Sequence, residues 1–237
     1  MPDCRPPPPG PDPDFPYLRE YMRYRFPPPE NARDGVVAAG GNLSPGMLLS
    51  AYEQGIFPWY GPGDPIIWQS PDPRMVIFPE DLHVSRSMKK VLARGDFRIS
   101  FNRDFGSVIR NCAETFRPGQ DGTWIDADII AAYGKLHLLG YAISAEAYRG
   151  ERLVGGCYGI RLANRGPKVF CGESMFALEP NASKAAFLTL ARRLFAEDFA
   201  FVDCQIPTDH LRSLGGREMP RREFLELLRK ALEDDRA

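Results

Sequence analysis

The feature that most constrains this chain is an alternation of apolar, strand-length runs with segments that carry helix start and stop signals. The strand-like runs occupy 97–101, 141–148, 152–162, 168–176 and 199–206. Helices are expected at 44–54, about 86–94, 127–139, 183–197 and 220–233. The first opens on Ser44 as N-cap with Pro45 at the first helical position, carries Met47, Leu48, Leu49 and Tyr52, and stops at Gly55. Gly95 ends the second, Asp126 caps and Gly140 ends the third, and Pro220 opens the last. The pattern predicts an α/β (α+β) protein: a small N-terminal domain over 17–79, then a mixed-sheet domain over 80–237. No internal repeat competes with this division. Residues 1–16 are dominated by proline, with four in a row at Pro6-Pro7-Pro8-Pro9, and are expected to be an extended, disordered tail.

A composition of 43% apolar and 26% charged residues over 237 positions suits a globular protein with a sizeable core. No stretch approaches the roughly 18–20 consecutive apolar residues of a membrane span, and prolines stand where a signal peptide has its apolar stretch. Five cysteines, Cys4, Cys112, Cys157, Cys171 and Cys204, are odd in number and widely spaced, which fits reduced thiols and a cytoplasmic location. The three histidines lie far apart and no CxxC or HExxH occurs, so no metal is expected.

A net charge of −1 excludes a uniformly basic nucleic-acid binder, but an average hides patches. Between His83 and Arg110, seven cations (Arg86, Lys89, Lys90, Arg94, Arg98, Arg103 and Arg110) face two acids, Asp96 and Asp104. A solvated helix face explains that segment as well as a nucleic-acid contact does. Trp59, after Phe57-Pro58, and Trp124, in Gly122-Thr123-Trp124-Ile125, sit in loop-like surroundings. An indole on a loop suits stacking on a nucleobase, although a half-buried core aromatic is the commoner reading. Together with the basic segment they make a nucleic-acid ligand a reasonable expectation.

Two strands carry polar residues that a buried strand does not need. In 199–206, Asp203 and Gln205 interrupt an apolar run; strict alternation puts them on one face and turns Cys204 to the other as a packing residue. In Phe170-Cys171-Gly172-Glu173-Ser174-Met175-Phe176, a carboxylate and a hydroxyl follow a glycine, which suggests a bulge or a close backbone approach. No G-x-S-x-G elbow surrounds Ser174, so a serine hydrolase is not expected.

Taken in order, several segments resemble the leucyl/phenylalanyl-tRNA–protein transferase family. They are Gly40-Gly41-Asn42-Leu43-Ser44-Pro45, Tyr52-Glu53-Gln54-Gly55-Ile56-Phe57-Pro58-Trp59, Trp68-Gln69-Ser70-Pro71-Asp72-Pro73-Arg74 and Gly122-Thr123-Trp124-Ile125. They continue through Leu153-Val154-Gly155-Gly156-Cys157-Tyr158-Gly159, Gly172-Glu173-Ser174-Met175-Phe176, Asn181-Ala182-Ser183-Lys184, Asp203-Cys204-Gln205, Leu214-Gly215 and Pro220-Arg221-Arg222. The resemblance implies a second domain related to the GNAT acyltransferases and transfer of Leu or Phe, Met less readily, from aminoacyl-tRNA to proteins beginning with Arg or Lys. Such tagging would mark them for N-degron degradation. No cofactor is implied, and a monomer is expected.

The same resemblance implies residue roles. Asp203 and Gln205 fall at the family's proton relay, with Asp203 accepting from the Gln205 amide, and Glu173 lies beside the reacting centre. Trp59 and Trp124 fall at the 3′-terminal adenosine and acceptor site, with Tyr52 and Tyr133 as neighbouring contacts. Phe170, Cys157, Leu190, Leu194 and Val202 fall in the amino-acid side-chain pocket, near Ser174, with Phe187 expected to refill volume lost at Cys157, Leu190 and Leu194. Independently of the resemblance, the basic segment offers Arg86, Lys89, Lys90 and Arg94 as the expected tRNA-backbone contacts. Two rivals stand beside this reading: an acyl-CoA-dependent N-acyltransferase and an RNA-binding module without catalysis. Against the first, Arg152-Leu153-Val154-Gly155-Gly156-Cys157 fails the R/Q-x-x-G-x-G/A pyrophosphate pattern at its last position.

Overall fold

The computed structural model describes residues 7–61, 63–115, 123–162 and 168–233. The N-terminal part builds a three-stranded antiparallel sheet of order β1-β3-β2, from β1 (Val36–Ala39), β2 (Phe57–Pro58) and β3 (Ile67–Gln69), around helix α1 (Pro45–Glu53). Ser44 precedes α1 as expected, but its hydroxyl makes no cap bond to the helix and accepts the Leu18 N–H instead. Ser50 Oγ accepts the Tyr24 N–H and Gln54 Oε1 that of Phe26, so the segment from Leu18 to Phe26 runs alongside α1. Of the proline-rich tail, residues 7–16 are described and are tied to the body. Gly10 and Asp12 N–H donate to the carbonyls of Asp64 and Gly41, and Asn42 donates to Phe15.

The second sheet has seven strands in the order β10-β4-β9-β8-β7-β6-β5. They are β4 (Arg74–Ile77), β5 (Arg98–Phe101), β6 (Ala142–Arg149), β7 (Arg152–Leu162), β8 (Lys168–Ala177), β9 (Phe199–Gln205) and β10 (Arg217–Met219). All neighbours are antiparallel except β8 and β9, which are parallel and joined through helix α5 (Ala182–Ala196), so the sheet is mixed. It takes in Arg74–Ile77, upstream of the boundary drawn at position 80 from the sequence.

Both faces of this sheet are covered, and its central strands are therefore apolar almost throughout. On one face α5 buries Ala186, Phe187, Leu190 and Leu194 against Ala145, Cys157, Phe170 and Val202, with Met88 and Val91 of α2 (Arg86–Arg94) in the same core. On the other, α3 (Phe105–Glu114), α4 (Ala127–Leu138) and α7 (Arg221–Glu233) pack with α1 against Tyr158, Ile160, Phe176 and Phe201. The expected helix signals operate. Ser85 accepts from Met88 N–H at the start of α2, Gly95 takes a left-handed conformation at its end, and Asp126 accepts from Ile129 N–H at the start of α4. Helix α3 was not foreseen. Gly106, Ser107 and Asn111 weaken its propensity, yet Phe105, Val108, Ile109 and Cys112 form a buried stripe at helical spacing and Asp104 caps it. A five-residue helix, α6 (Asp209–Ser213), links β9 to β10.

Candidate active site

The site forms where β8 and β9 part. Their parallel pairing ends at Cys171 opposite Asp203, after which β8 stays with β7 and β9 with β4. Each strand carries an irregularity just there. Tyr158 faces Ser174 while Gly159 faces Gly172, which leaves Glu173 as the extra residue of a bulge in β8. Val76 faces Asp203 while Met75 faces Gln205, so Cys204 is the extra residue in β9. Bulges re-aim side chains. Gly159 permits the close approach at the first: a Cβ there would lie 2.2 Å from the Cys171 carbonyl oxygen.

The gap is a cavity of about 440 Å³. Cys157, Phe170, Met175 and Phe187 give it an apolar end, Phe57, Trp59 and Trp124, with Pro58 beside them, an aromatic wall, and Glu173, Gln205, Thr208 and His210 its polar groups. Trp59 is 40% exposed, although its backbone N–H is fixed to the Ile67 carbonyl at 2.8 Å. Gln205 has φ 64°, the left-handed region that a non-glycine residue enters at a cost. Its backbone N–H donates to Asp203 Oδ1 at 3.0 Å and its Nε2 to Glu173 Oε1 at 3.0 Å.

Glu173 is the electrostatic centre. Burial pushes its carboxyl up to about 7, against hydrogen bonds from Tyr52, Tyr133 and Gln205 that favour the ionised form. Tyr133 Oη donates to Glu173 Oε2 at 3.2 Å and is itself hydrogen-bonded to Tyr52 Oη. Both phenols are pushed well above their ordinary range by burial and by the carboxylate, so they stay neutral donors. Burial likewise raises the Cys157 and Cys204 thiols, which argues against either as a thiolate nucleophile.

Most of the expected residues converge, with three differences. Trp59, Trp124, Cys157, Phe170, Glu173, Ser174, Gln205 and also Phe187 line the cavity. Asp203 does not: it turns to Arg74, whose Nε and Nη2 donate to its two oxygens at 2.8 and 2.7 Å, both side chains being almost fully buried. The Gln205 amide therefore donates to Glu173 and not to Asp203, and Cys204 joins the lining. The bulge and the left-handed Gln205 break the strict alternation on which the sequence reading relied. Tyr52 and Tyr133 are 1% and 0% exposed and stand behind Glu173, out of reach of a ligand. Leu190 and Leu194 face a separate cavity of about 60 Å³ with Asn102, Arg193 and Glu197, and Val202 is buried under α5 without reaching the main cavity. Helix α5 presents only Phe187 to that cavity.

Arg86, Lys89, Lys90 and Arg94 are exposed on α2, where Arg94 also pairs with Asp96 at 2.6 Å. The rest of the basic segment is dispersed, since Arg98 and Arg103 stack on Tyr148 and Arg110 reaches Ser107. Arg74, Thr208, His210 and Leu211 went unsingled by sequence reading. Only Arg74 lay within a quoted motif. Among the described residues no helix is long and apolar enough to cross a membrane, and no group of His, Cys, Asp or Glu is arranged to hold a metal.

Two family profiles match this chain: leucyl/phenylalanyl-tRNA protein transferase over residues 76–229, and the N-terminal domain of the same family over 41–72. A leucyl/phenylalanyl-tRNA–protein transferase of Myxococcus xanthus (strain DK1622) is 50% identical over 210 residues, covering 88% of this chain and 88% of its own length. One of Anaeromyxobacter sp. (strain Fw109-5) is 52% identical over 209 residues, covering 88% and 87%. Among solved structures, a ribosomal-protein-alanine N-acetyltransferase of Brucella melitensis biovar Abortus 2308 covers 55% of this chain and 90% of its own at 17% identity, with a TM-score of 0.34. Every cavity residue lies within the two profile matches. The chain belongs to the leucyl/phenylalanyl-tRNA protein transferase family and is an aminoacyltransferase.

Proposed function

We propose that this enzyme moves Leu or Phe, and Met less readily, from the 3′ end of its tRNA to the N-terminal α-amine of proteins that begin with Arg or Lys, marking them for degradation in the cytoplasm. The observation that carries this reading is the cavity itself. An apolar end and an aromatic wall share one cavity of about 440 Å³ with a carboxyl that burial raises to about 7. Phe170, Met175 and Phe187 receive the side chain of the amino acid, Trp59 and Trp124 stack on the terminal adenosine, and Glu173 and Gln205 flank the ester. The exposed cations of α2 meet tRNA phosphates.

Ester aminolysis needs a neutral amine, a carbonyl held in place and a site for the proton that nitrogen loses. An N-terminal amine has a pKa of about 7.7–8.0, so a usable fraction is neutral near pH 7. Its lone pair attacks the ester carbonyl, forming the C–N bond. The nitrogen proton passes to Glu173, and the carbon–oxygen bond to the ribose breaks as Glu173 returns the proton to the leaving oxygen. Gln205 presents its NH2 to Glu173, which leaves the amide oxygen to orient the incoming amine. No covalent enzyme intermediate is required. The Glu173 carboxylate also attracts the cationic side chain of an Arg or Lys acceptor.

The decisive assay mixes the purified chain with leucyl-tRNA and peptides that differ only in their first residue. Transfer to Arg- and Lys-initiated peptides, abolished by RNase and indifferent to added acyl-CoA, is the expected result. Equal transfer to a Glu-initiated peptide would remove the acceptor assignment, and transfer from acyl-CoA would remove the donor assignment.

A further inference from the structure

Arg74 lies in β4 between β10 and β9, with its side chain 1% exposed, and it does not itself line the cavity. Its guanidinium nevertheless joins three parts of the chain. Nε and Nη2 hold both oxygens of Asp203 in β9. Nη1 donates to the Gly55 carbonyl at 3.2 Å, at the end of α1. Its guanidinium carbon also lies over two aromatic rings, 5.0 Å from the centroid of Phe57 and 4.4 Å from that of Phe224 in α7.

The contacts with Gly55, Phe57 and Asp203 lead to cavity groups. Phe57 opens β2, which runs directly into Trp59 and supplies part of the aromatic wall, and Gly55 lies in the turn between α1 and that strand. Asp203 Oδ1 accepts the backbone N–H of Gln205, which stabilises its left-handed conformation and so aims its amide at Glu173. A planar fork on a carboxylate fixes direction as well as distance, and a lysine or an apolar side chain of equal volume does neither. Replacing both members of such a buried ion pair by neutral groups is often harmless to stability. The pair's contribution therefore lies in geometry.

We propose that Arg74 is a positioning residue for aminoacyl transfer: through Gly55 and Phe57 on one side and Asp203 on the other, it sets the aromatic wall that receives the donor against the Gln205–Glu173 pair. Asp203 acts through Arg74 and Gln205, with both its oxygens already engaged. The inference rests on the reading that Glu173 and Gln205 flank the reacting ester.

The test compares Arg74→Lys, the double variant Arg74→Met/Asp203→Asn and Arg221→Met. Arg221 is a second buried arginine, which instead donates to the Ser70 and Ala32 carbonyls. Melting temperature is measured for each, and kcat and KM for leucyl-tRNA are measured over a pH series well below the lowest melting point. The double variant is expected to stay folded while kcat falls by about 100-fold, the loss that misplacement of about 1 Å produces, with KM changed less than about three-fold. Arg74→Lys should fall between, and Arg221→Met should melt earlier with kcat unchanged. A folded double variant with kcat within about three-fold of the parent, or an equal kcat loss in Arg221→Met, overturns the proposal. If the double variant does not fold, Arg74→Lys decides at matched folded fraction, and a parental kcat there overturns it too. Glu173→Gln is run alongside. If it leaves kcat and its pH dependence unchanged, the proton-acceptor reading fails, whereas the Arg74 result is read from its own kcat and KM.

Discussion

A carboxylate raised to about 7 beside an amine of pKa about 7.7–8.0 places two titrations within one unit of neutrality. The rate should therefore climb through pH 7 as Glu173 ionises and continue to about pH 8 as the acceptor deprotonates. Glu173→Gln should cut kcat by roughly 10²–10⁴-fold and delete the lower inflection. Tyr133→Phe removes a hydrogen bond that favours the ionised carboxylate, so it should move that inflection upward by about half to one unit, the equivalent of roughly 1 kcal/mol. A profile unmoved by the phenylalanine would mean that Tyr133 does not tune Glu173. The chemical identities of Glu173 and Gln205 stood out in the sequence because each interrupts an apolar run. Their partnership did not: it follows from a bulge in each strand and from one left-handed residue, and period-two reasoning has no signal for either.

Among the elements, α2 tests the donor. Its buried stripe is Met88 and Val91, while Lys89 and Lys90 project outward with Arg86 and Arg94. Lys89→Ala/Lys90→Ala should weaken leucyl-tRNA binding and reduce the slope of log affinity against log salt by roughly 1.5–2, as expected for the loss of two phosphate contacts. An unchanged slope would return those lysines to the role of a solvated face. Helices with explicit signals, such as Asp126 and Gly140 around α4, were legible to within a residue or two. Helix α3 was hidden by Gly106 and Ser107, although its apolar spacing was present. The side-chain pocket shows the limit of element-level reasoning. Leu190 and Leu194 share a helix with Phe187, but a helix presents one face to each neighbour and only Phe187 meets the main cavity.

For the whole molecule, the Glu173 titration links stability to pH. Its folded pKa of about 7 exceeds the ordinary value of 4.5, so the folded state binds the proton more tightly between those two values. Stability should fall as pH rises through that window, by an amount on the order of 1–3 kcal/mol that Glu173→Gln abolishes. Denaturant melts at pH 5 and pH 8 on the two proteins check it. Breaking the Arg74–Asp203 pair from one side, with Arg74→Met, should cost about 3–5 kcal/mol because an unpaired charge is left buried; adding Asp203→Asn should recover most of it. Equal destabilisation by the single and double variants would show that contacts other than the ion pair dominate.

By itself the sequence determined the mixed α/β architecture, most helix limits, the family and the polar side chains that interrupt apolar strands. These depend on local caps, apolar periodicity and ordered motifs, all of which are written along the chain. Tertiary structure alone decided that Asp203 belongs to Arg74, that Tyr52 and Tyr133 support Glu173 from behind, and which face of α5 reaches the cavity. Those outcomes depend on where β8 and β9 separate and on which buried charges must find partners. Desolvation makes an unpartnered charge costly, and the partner is chosen across some 130 residues of chain by proximity in the folded core.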